Sequence, residues 1–305
     1  MSKGACADQG IGRIRIGISG WRYAGWRGVF YPKGLQQRRE LEFAASQFET
    51  VEINGTFYSL QRPESFTEWS AQTPDDFVFS VKGSRFITHM LKLREVRVPL
   101  ANFFGSGMLR LGPKLGPLLW QFAPQMRFDP ARFEAFFRLL PRTHREAAAL
   151  MRRHADRLRE DPSFRVRKDA PLRHCVEIRD ESFAVPEFIE LLREHDIGLV
   201  VADTVEWPLL MDVSSDFVYC RLHGSEVLYA SGYEDVAIEE WARRVVAWAR
   251  GEDAGGRCAH ATRAHVVPRD VYVYFDNDAK VRAPFDATAL RARVKDLLNS
   301  TQAGR

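Results

Sequence analysis

Eight short β-rich runs, separated by amphipathic stretches, constrain the fold of this chain more than any other feature of its sequence. The runs are rich in Val, Ile, Phe and Tyr, and most are bounded by Gly, Pro, Asp or Ser. They predict strands at Arg13–Ser19, Thr50–Asn54, Phe77–Lys82, Leu118–Phe122, Cys175–Arg179, Gly198–Asp203, Phe217–His223 and Val271–Asp276. Apolar residues recur at helical spacing between the runs, at Leu35–Phe48, Pro130–Leu140, Pro186–His195, Glu239–Arg250 and Pro284–Leu298.

This alternation predicts an α/β protein with the (β/α)8 architecture of a TIM barrel. We expect an extended or disordered segment over residues 1–12, a single TIM-barrel-like domain over 13–299 and a tail over 300–305. The span Thr204–Asp216 is too short and too rich in Pro and Ser for a full helix between strands six and seven. A doubly wound open sheet is the alternative fold. Gly17-Ile18-Ser19-Gly20 does not support it, because it lacks the third glycine of a dinucleotide-binding loop.

A basic insertion is predicted between strands four and five, over residues 142–173. It contains ten Lys or Arg residues against five Asp or Glu, and its core, Arg145–Glu160, has a helical pattern. One interpretation is a solvated helix lying over the barrel, and the other is a surface that contacts phosphates. The candidate nucleic-acid contacts are Arg152, Arg153, Arg157, Arg159, Arg165, Arg167 and Lys168.

Composition and charge exclude several classes of protein. Hydrophobic residues make up 45% and charged residues 28%, which is typical of a globular chain, and a net charge of +4 does not by itself require a nucleic-acid partner. The longest apolar runs are of strand length, so we expect no membrane partner. The first ten residues lack the apolar core of a signal peptide, which predicts a cytoplasmic protein. Four scattered cysteines without a CxxC pair argue against a zinc knuckle or a disulfide framework, and the oligomeric state stays open.

Reading each predicted strand with a period of two gives one apolar face and one face that becomes polar toward the carboxyl end. In a barrel the apolar face meets the helices and the other face meets the lumen, and barrel active sites lie at the carboxyl end of the strands. The alternative is a set of internal salt bridges, Lys82 with Glu52 and Arg179 or Arg221 with Glu177 or Asp203. The pattern predicts a polar cup lined by Ser19, Glu52, Asn54, Lys82, Gln121, Glu177, Arg179, Asp203, Arg221, His223 and Asp276.

Aromatic residues crowd the loops that follow strands one and two. Trp21, Tyr23 and Tyr58 lie in these loops. Two interpretations are open: these rings stack on a base or sugar of a ligand, or they form the packed lid of the barrel.

Several motifs, in order along residues 13–290, resemble the YecE-like family, known as domain of unknown function 72. The resemblance rests on Gly17-Ile18-Ser19-Gly20-Trp21-Arg22-Tyr23, Val51–Tyr58, Lys82 through Thr88-His89, Leu111–Phe122, Glu177-Ile178-Arg179, Asp203, Tyr219–Gly224 and Val271–Asn277. It implies a TIM-barrel-like fold related to the xylose-isomerase and endonuclease IV group, and it implies no activity. The chain departs from the family pattern at Asp276–Ala283, which lacks the usual glycine, and at Ala123-Pro124, where a second proline is common.

An enzyme that carries out acid/base or hydrolytic chemistry is the first functional hypothesis, although the sequence assigns no specific activity. Glu52 and Glu177 are two carboxylates on different sides of the lumen, Lys82 lowers the pKa of one of them, and His223 is a proton shuttle. The expected ligand is small and anionic or sugar-like, for example phosphorylated or nucleotide-like. The remaining candidate ligand contacts are Ser19, Trp21, Tyr23, Asn54, Tyr58, His89, Gln121, Arg179, Asp203, Arg221, Tyr274, Asp276 and Asn277.

Cofactors stay open, but a tight divalent metal is disfavoured. Lys82, Arg179 and Arg221 crowd the same predicted cup and repel a cation, and no ExxH or HxH spacing is present there. The second functional hypothesis is a non-catalytic nucleic-acid-binding protein that uses the basic insertion together with the aromatic loops.

Overall fold

Eight parallel strands close into a barrel in the computed structural model, which describes residues 10–224, 228, 231–262 and 267–303. Each strand pairs with its neighbour in sequence, and β1 pairs with β8 from Ile14–Val271 to Ile18–Phe275. The strands are β1 (Ile14–Ser19), β2 (Thr50–Ile53), β3 (Val78–Lys82), β4 (Leu115–Gln121), β5 (His174–Glu177), β6 (Ile197–Asp203), β7 (Phe217–Leu222) and β8 (Asp270–Phe275). All eight predicted strands, and the predicted barrel, are confirmed.

Helices surround the barrel and cover its apolar outer face. They are α1 (Glu40–Gln47), α2 (Gly55–Tyr58), α3 (Pro63–Ala71), α4 (Arg97–Phe104), α5 (Pro130–Leu139), α6 (His144–His154), α7 (Pro186–Glu194), α8 (Asp235–Arg250) and α9 (Ala283–Ala303). The five predicted helical stretches are confirmed, and Thr204–Asp216 contains no helix, as expected. The sequence analysis missed α2, α3 and α4, which are all nine residues or shorter. Within the described ranges, no helix is long and apolar enough to cross a membrane.

The ends of two predicted segments need correction. The insertion helix α6 ends at His154 rather than Glu160, because the backbone N–H groups of Arg159 and Glu160 donate to the carbonyl of Gly105 instead of to a preceding helical turn. The last helix continues to Ala303, so the predicted tail begins inside α9. Most of the predicted N-terminal segment, residues 1–9, lies outside the described residues, as do residues 304 and 305.

The lumen of the barrel is filled below its carboxyl end. Tyr274 carries its hydroxyl into this layer, 2.6 Å from Thr50 Oγ1 and 2.7 Å from Ser80 Oγ. Gly17 allows β1 to approach β2 here, because a Cβ on it would lie 2.0 Å from the carbonyl oxygen of Thr50. We call this layer the lumen plug; its apolar and aromatic members are Val78, Leu119, Cys175, Val200, Ala202, Phe217, Tyr219, Tyr272 and Tyr274. The polar residues above the plug therefore form a closed-bottomed cup.

Candidate active site

The cup is centred on the guanidinium group of Arg221, which projects from β7 and is fully buried. Its Nη1 donates to Glu177 Oε2 at 2.5 Å, and its Nη2 donates to Asp276 Oδ2 at 2.6 Å and to Glu52 Oε1 at 3.0 Å. One cation thus joins carboxylates from β2, β5 and the end of β8. Pairs of this kind persist in a dry interior only when every charge has partners.

The ion pairs fix the charge state of two of these carboxylates. Burial alone would raise the pKa of Glu177, but Arg221 and Arg179 hold that pKa well below its usual range. Burial likewise opposes ionisation of Asp276, and Arg221 nevertheless lowers its pKa. Both groups are therefore ionised at neutral pH, so they act as acceptors rather than acids.

Glu52 is an anchored carboxylate. It accepts hydrogen bonds from Ser19 Oγ at 2.5 Å and from Tyr219 Oη at 2.6 Å, in addition to that from Arg221. Asn54 Nδ2 donates to Ser19 Oγ at 2.8 Å and extends this chain toward the mouth. Three donors therefore hold Glu52 in place between Ser19, Tyr219 and Arg221.

Arg179 and His223 lie on either side of Glu177. Arg179 donates to Glu177 Oε1 through Nε at 3.1 Å and Nη2 at 2.9 Å, and its guanidinium stacks on Trp207 at 3.7 Å from the ring centre. His223 is fully buried, with Nε2 3.7 Å from Glu177 Oε2 and Nδ1 3.3 Å from Asp276 Oδ2. The imidazole therefore lies between two ionised carboxylates.

Lys82, at the end of β3, is the least satisfied charge in the cup. Its side chain is buried, and its Nζ lies 4.6 Å from the ring centre of Phe57. No ion pair or hydrogen bond joins its Nζ to any residue that the structure describes. Burial, assisted by Arg221, lowers the pKa of Lys82 to about 8, against the opposing effect of Asp276 and Glu52.

Two buried acceptors in the cup also lack partners among the described residues. They are Gln121 Oε1, on the last residue of β4, and Asn54 Oδ1. An unsatisfied buried polar atom costs about 1–3 kcal/mol. A ligand that donates to these oxygens while it contacts Lys82 would remove that cost.

The structure corrects one predicted member of the cup. Asp203 lies on the outer face of β6, where its Oδ2 accepts from Trp241 Nε1 of α8 at 3.1 Å. Val200 and Ala202 occupy the lumen side of the same strand, so the side-chain alternation directs Asp203 to the helices. Its pKa is raised by burial beneath α8.

Most of the predicted aromatic contacts form a lid rather than an open stacking surface. Trp21 is buried and packs edge-on against Trp69 of α3, with 5.2 Å between the ring centres. Tyr23 donates to the carbonyl of Ser19 at 2.7 Å and packs on Trp26. Tyr58 alone of the three predicted aromatics is exposed, with 66% of its surface accessible.

Three further predicted contacts lie at the edges of the cup or behind it. His89 contacts the Phe57 ring that also faces Lys82, and its Nδ1 lies 2.9 Å from Thr88 Oγ1. Asn277 points away from the cup and donates to Asp286 Oδ2 at 2.7 Å. Tyr274 belongs to the lumen plug beneath Glu52.

The sequence analysis did not single out Asp278, which lies beside the cup. Burial and the neighbouring Asp276 raise the pKa of Asp278 to about 6. The nearby Tyr23 hydroxyl opposes this rise. Its position two residues after Asp276 was the available signal, because the loop at the end of β8 carries both side chains to the mouth.

The acidic and imidazole groups of the cup are of the types that bind metal ions. Arg221 contacts Glu52, Glu177 and Asp276, so the ligand oxygens already face a cation. Within the described ranges no group of three or more His, Cys, Asp or Glu residues is arranged to hold a metal ion. The expectation that a tight divalent metal is disfavoured stays a prediction.

The basic insertion lies against α4 and leaves its cations on the surface. Arg159 Nη1 donates to the carbonyl of Leu60 at 2.8 Å, and Arg165 Nη1 donates to that of Pro162 at 3.0 Å. All seven predicted nucleic-acid contacts are exposed: Arg152, Arg153, Arg157, Arg159, Arg165, Arg167 and Lys168.

Comparisons with known proteins agree with the sequence motifs. The family model described as "Protein of unknown function DUF72" matches residues 15–304. The UPF0759 protein YecE of Escherichia coli K12 is 34% identical over 123 residues, which are 36% of this chain and 43% of that protein. The UPF0759 protein YunF of Bacillus subtilis 168 is 28% identical over 116 residues, which are 36% of this chain and 40% of that protein. The matched segments thus span less than half the length of these relatives.

Two solved structures share the fold. A DUF72 family protein of Thermotoga maritima superposes with a TM-score of 0.65 at 23% identity, covering 94% of this chain and 99% of that one. A DUF72 family protein of Enterococcus faecalis V583 gives a TM-score of 0.64 at 17% identity, covering 95% and 99%. At these identities the likeness concerns the barrel alone.

Proposed function

We infer that this chain, which belongs to the DUF72 family of proteins of unknown function, is an enzyme that carries out acid/base or hydrolytic chemistry on a small anionic or sugar-like ligand. One observation supports this most strongly. The buried cup leaves Lys82 Nζ, Gln121 Oε1 and Asn54 Oδ1 without partners among the described residues. A purely structural ion network satisfies its members, whereas a binding site keeps donors and acceptors for its ligand.

The chemistry of the cup divides into fixed and adjustable groups. Glu52 and Arg221 are tied into the network and orient their neighbours. Lys82 has a pKa of about 8, so it changes charge near physiological pH, which suits a proton donor or acceptor. His223 lies between Glu177 and Asp276, and its proposed role is to carry a proton to or from the ligand.

The ligand class follows from the cations that an incoming molecule meets. Arg221 is completely buried, whereas the side chains of Arg179 and Lys82 keep some accessible surface. Trp207 adds an aromatic face beneath Arg179. An anionic group, or the hydroxyls of a sugar, matches these donors and the two unsatisfied acceptors.

The test is a turnover screen against phosphoesters, nucleosides and glycosides. Glu177→Gln removes the charge while keeping the side-chain shape, and Glu134→Gln, on the surface of α5, is the matched control. We expect wild type and Glu134→Gln to turn over one substrate class, with Glu177→Gln reduced at least 100-fold. Wild-type turnover that never exceeds that of Glu177→Gln contradicts the proposal.

The alternative function is non-catalytic nucleic-acid binding, which the exposure of the seven basic side chains predicted to contact phosphates supports. Binding through phosphates weakens steeply as salt rises. A double substitution, Arg152→Glu with Arg153→Glu, would then weaken binding to short single- and double-stranded oligonucleotides without altering the cup. Absent or salt-insensitive binding contradicts this alternative.

A further inference from the structure

We propose that Lys82 is an amine nucleophile that forms an imine with the carbonyl group of an aldehyde or ketone ligand carrying an anionic group. This deepens the proposed function, on which it rests, by naming the reacting atom and the substrate class. Four lines of support follow from the residues around Lys82.

Lys82 can be compared with Lys114, a lysine that is equally buried but has hydrogen-bond partners. Lys114 is 7% exposed, and its Nζ donates to the carbonyls of Ser70 at 2.7 Å and Thr73 at 2.8 Å and lies 3.3 Å from Thr73 Oγ1. Lys82 is 8% exposed, yet its Nζ has no hydrogen bond or ion pair with any described residue. Its contact is with the face of the Phe57 ring. Lys114 is built as a structural cation, and Lys82 is left available for a ligand atom.

A large share of the Lys82 side chain is a neutral amine near pH 8. Its surroundings, burial first and Arg221 second, lower its pKa from 10.5 to about 8. At pH 8 about half of the molecules then carry the free lone pair, against well under ~1% for an ordinary lysine. A desolvated lysine beside another cation is a recognised way to obtain such a nucleophile.

His89 is a neutral imidazole that contacts the same aromatic ring as this amine. Burial, together with the cations Arg179 and Lys82, lowers the pKa of His89 to about 4. The imidazole meets the Phe57 ring edge-on at 5.1 Å, while Lys82 Nζ lies 4.6 Å from the same ring centre. The two nitrogen-bearing groups therefore flank one aromatic side chain at the mouth of the cup.

The carboxylates complete the set. Asp276, Glu52 and Glu177 all act electrostatically on Lys82 and favour a positive charge there. The nitrogen of a protonated imine is such a charge, so these carboxylates offset part of the cost that burial and Arg221 impose on it. Imine formation also makes the carbon next to the carbonyl carbon easier to deprotonate, which is acid/base chemistry.

The step balances without an oxidant or a reductant. The lone pair of Lys82 Nζ forms a bond to the carbonyl carbon, and the C=O π electrons move to oxygen, which takes a proton. The nitrogen then loses a proton. The hydroxyl group is protonated and leaves as water, while the nitrogen lone pair forms the C=N bond. In total the neutral amine, the carbonyl compound and one proton taken from solvent give a protonated imine and one water molecule.

Borohydride trapping tests the proposal directly. The full chain is incubated with glyoxylate, pyruvate, glycolaldehyde phosphate or glyceraldehyde 3-phosphate and reduced with sodium borohydride, and adducts are located by peptide mass spectrometry. The sequence contains only eight lysines, so each can be quantified. We expect Lys82 to be modified at least 10-fold faster than any other lysine by at least one compound, with a rate that rises through pH 8.

Variants separate this proposal from its alternatives. Lys82→Arg keeps the charge and should lose the adduct, whereas Lys114→Arg should leave labelling of Lys82 unchanged. If Lys82→Arg does not fold, the site selectivity and the pH dependence of wild-type labelling still decide. No adduct with any compound, labelling spread over the surface lysines, or an adduct in Lys82→Arg at the wild-type level overturns the proposal.

The outcome is distinguishable from failure of the proposed function. If turnover depends on Glu177 but no adduct forms at Lys82, the proposed enzyme function stands and imine formation is refuted. Lys82 then serves as an electrostatic contact. If a selective adduct forms at Lys82 but no substrate class is turned over, the reactivity of the Lys82 amine is supported and the proposed enzyme function is refuted.

Discussion

Replacing Lys82 by Met is expected to stabilise the protein at pH 7, although it removes a charge from beside three carboxylates. The lowered pKa of Lys82, about 8 in place of 10.5, already includes the attraction of those carboxylates. At ~1.4 kcal/mol per pKa unit, this lowering of the pKa corresponds to about 3 kcal/mol of unfavourable free energy for keeping Lys82 protonated in the folded protein. Met preserves most of the buried length and volume without the charge.

The stability gained by Lys82→Met should depend on pH. Between pH 8 and 10.5 the unfolded chain binds more protons at this lysine than the folded chain, so wild-type stability rises with pH across that window. Lys82→Met therefore exceeds wild type by about 3 kcal/mol below pH 8, and the advantage shrinks toward zero by pH 10.5. The measurement is the free energy of unfolding from urea titrations at pH 7 and pH 10.5.

Lys114→Met is the matched control, because Lys114 is equally buried and fully bonded. Its loss leaves the carbonyls of Ser70 and Thr73 without their donor, which should cost about 1–3 kcal/mol at pH 7. The two substitutions thus have opposite signs. A Lys82→Met variant that is less stable than wild type at pH 7, or whose advantage is the same at both pH values, refutes the reasoning.

Three further predictions concern the groups around Lys82. Arg221→Met should lower the free energy of unfolding in urea by about 3–5 kcal/mol or more, because it leaves buried carboxylates without their cation; an unchanged midpoint contradicts the network. The lowered pKa values of Glu177 and Asp276 mean that their stabilisation is present above about pH 4.5 and is lost as pH falls, so Glu177→Gln should flatten the acid-unfolding curve. Asp203→Asn should leave ligand-induced thermal shifts of the cup unchanged, and a lost shift would return Asp203 to the site.

The strand pattern predicted most of the cup because most strands have one clearly apolar face. In β2, Val51 and Ile53 separate cleanly from Glu52 and Asn54. In β6 both faces are apolar, so the sequence did not reveal which side Asp203 occupies. The structure resolves this through the lumen plug, whose small Val200 and Ala202 leave space for the tyrosines of β7 and β8.

The partners of Arg221 were harder to predict than its place in the cup. The strand pattern offered pairs of Arg221 with Glu177 and of Arg179 with Glu177 as alternatives, and the structure contains both. The simultaneous contacts of Arg221 with Glu52 and Asp276 depend on how strands far apart in sequence align around the barrel. The alternation of side chains along one strand does not encode that alignment. The pair between Lys82 and Glu52 is not found among the described contacts, and this difference is what exposes Lys82 as the group to test.

The lumen plug prevents molecules from passing along the axis of the barrel. The hydroxyl layer formed by Tyr274, Thr50 and Ser80 closes the axis beneath Glu52. A molecule that enters the cup must therefore depart through the opening by which it arrived. Two reactants would have to sit side by side at the rim, or one would have to leave before the next arrives, and this dead-end shape limits the kinetic orders available to any reaction there.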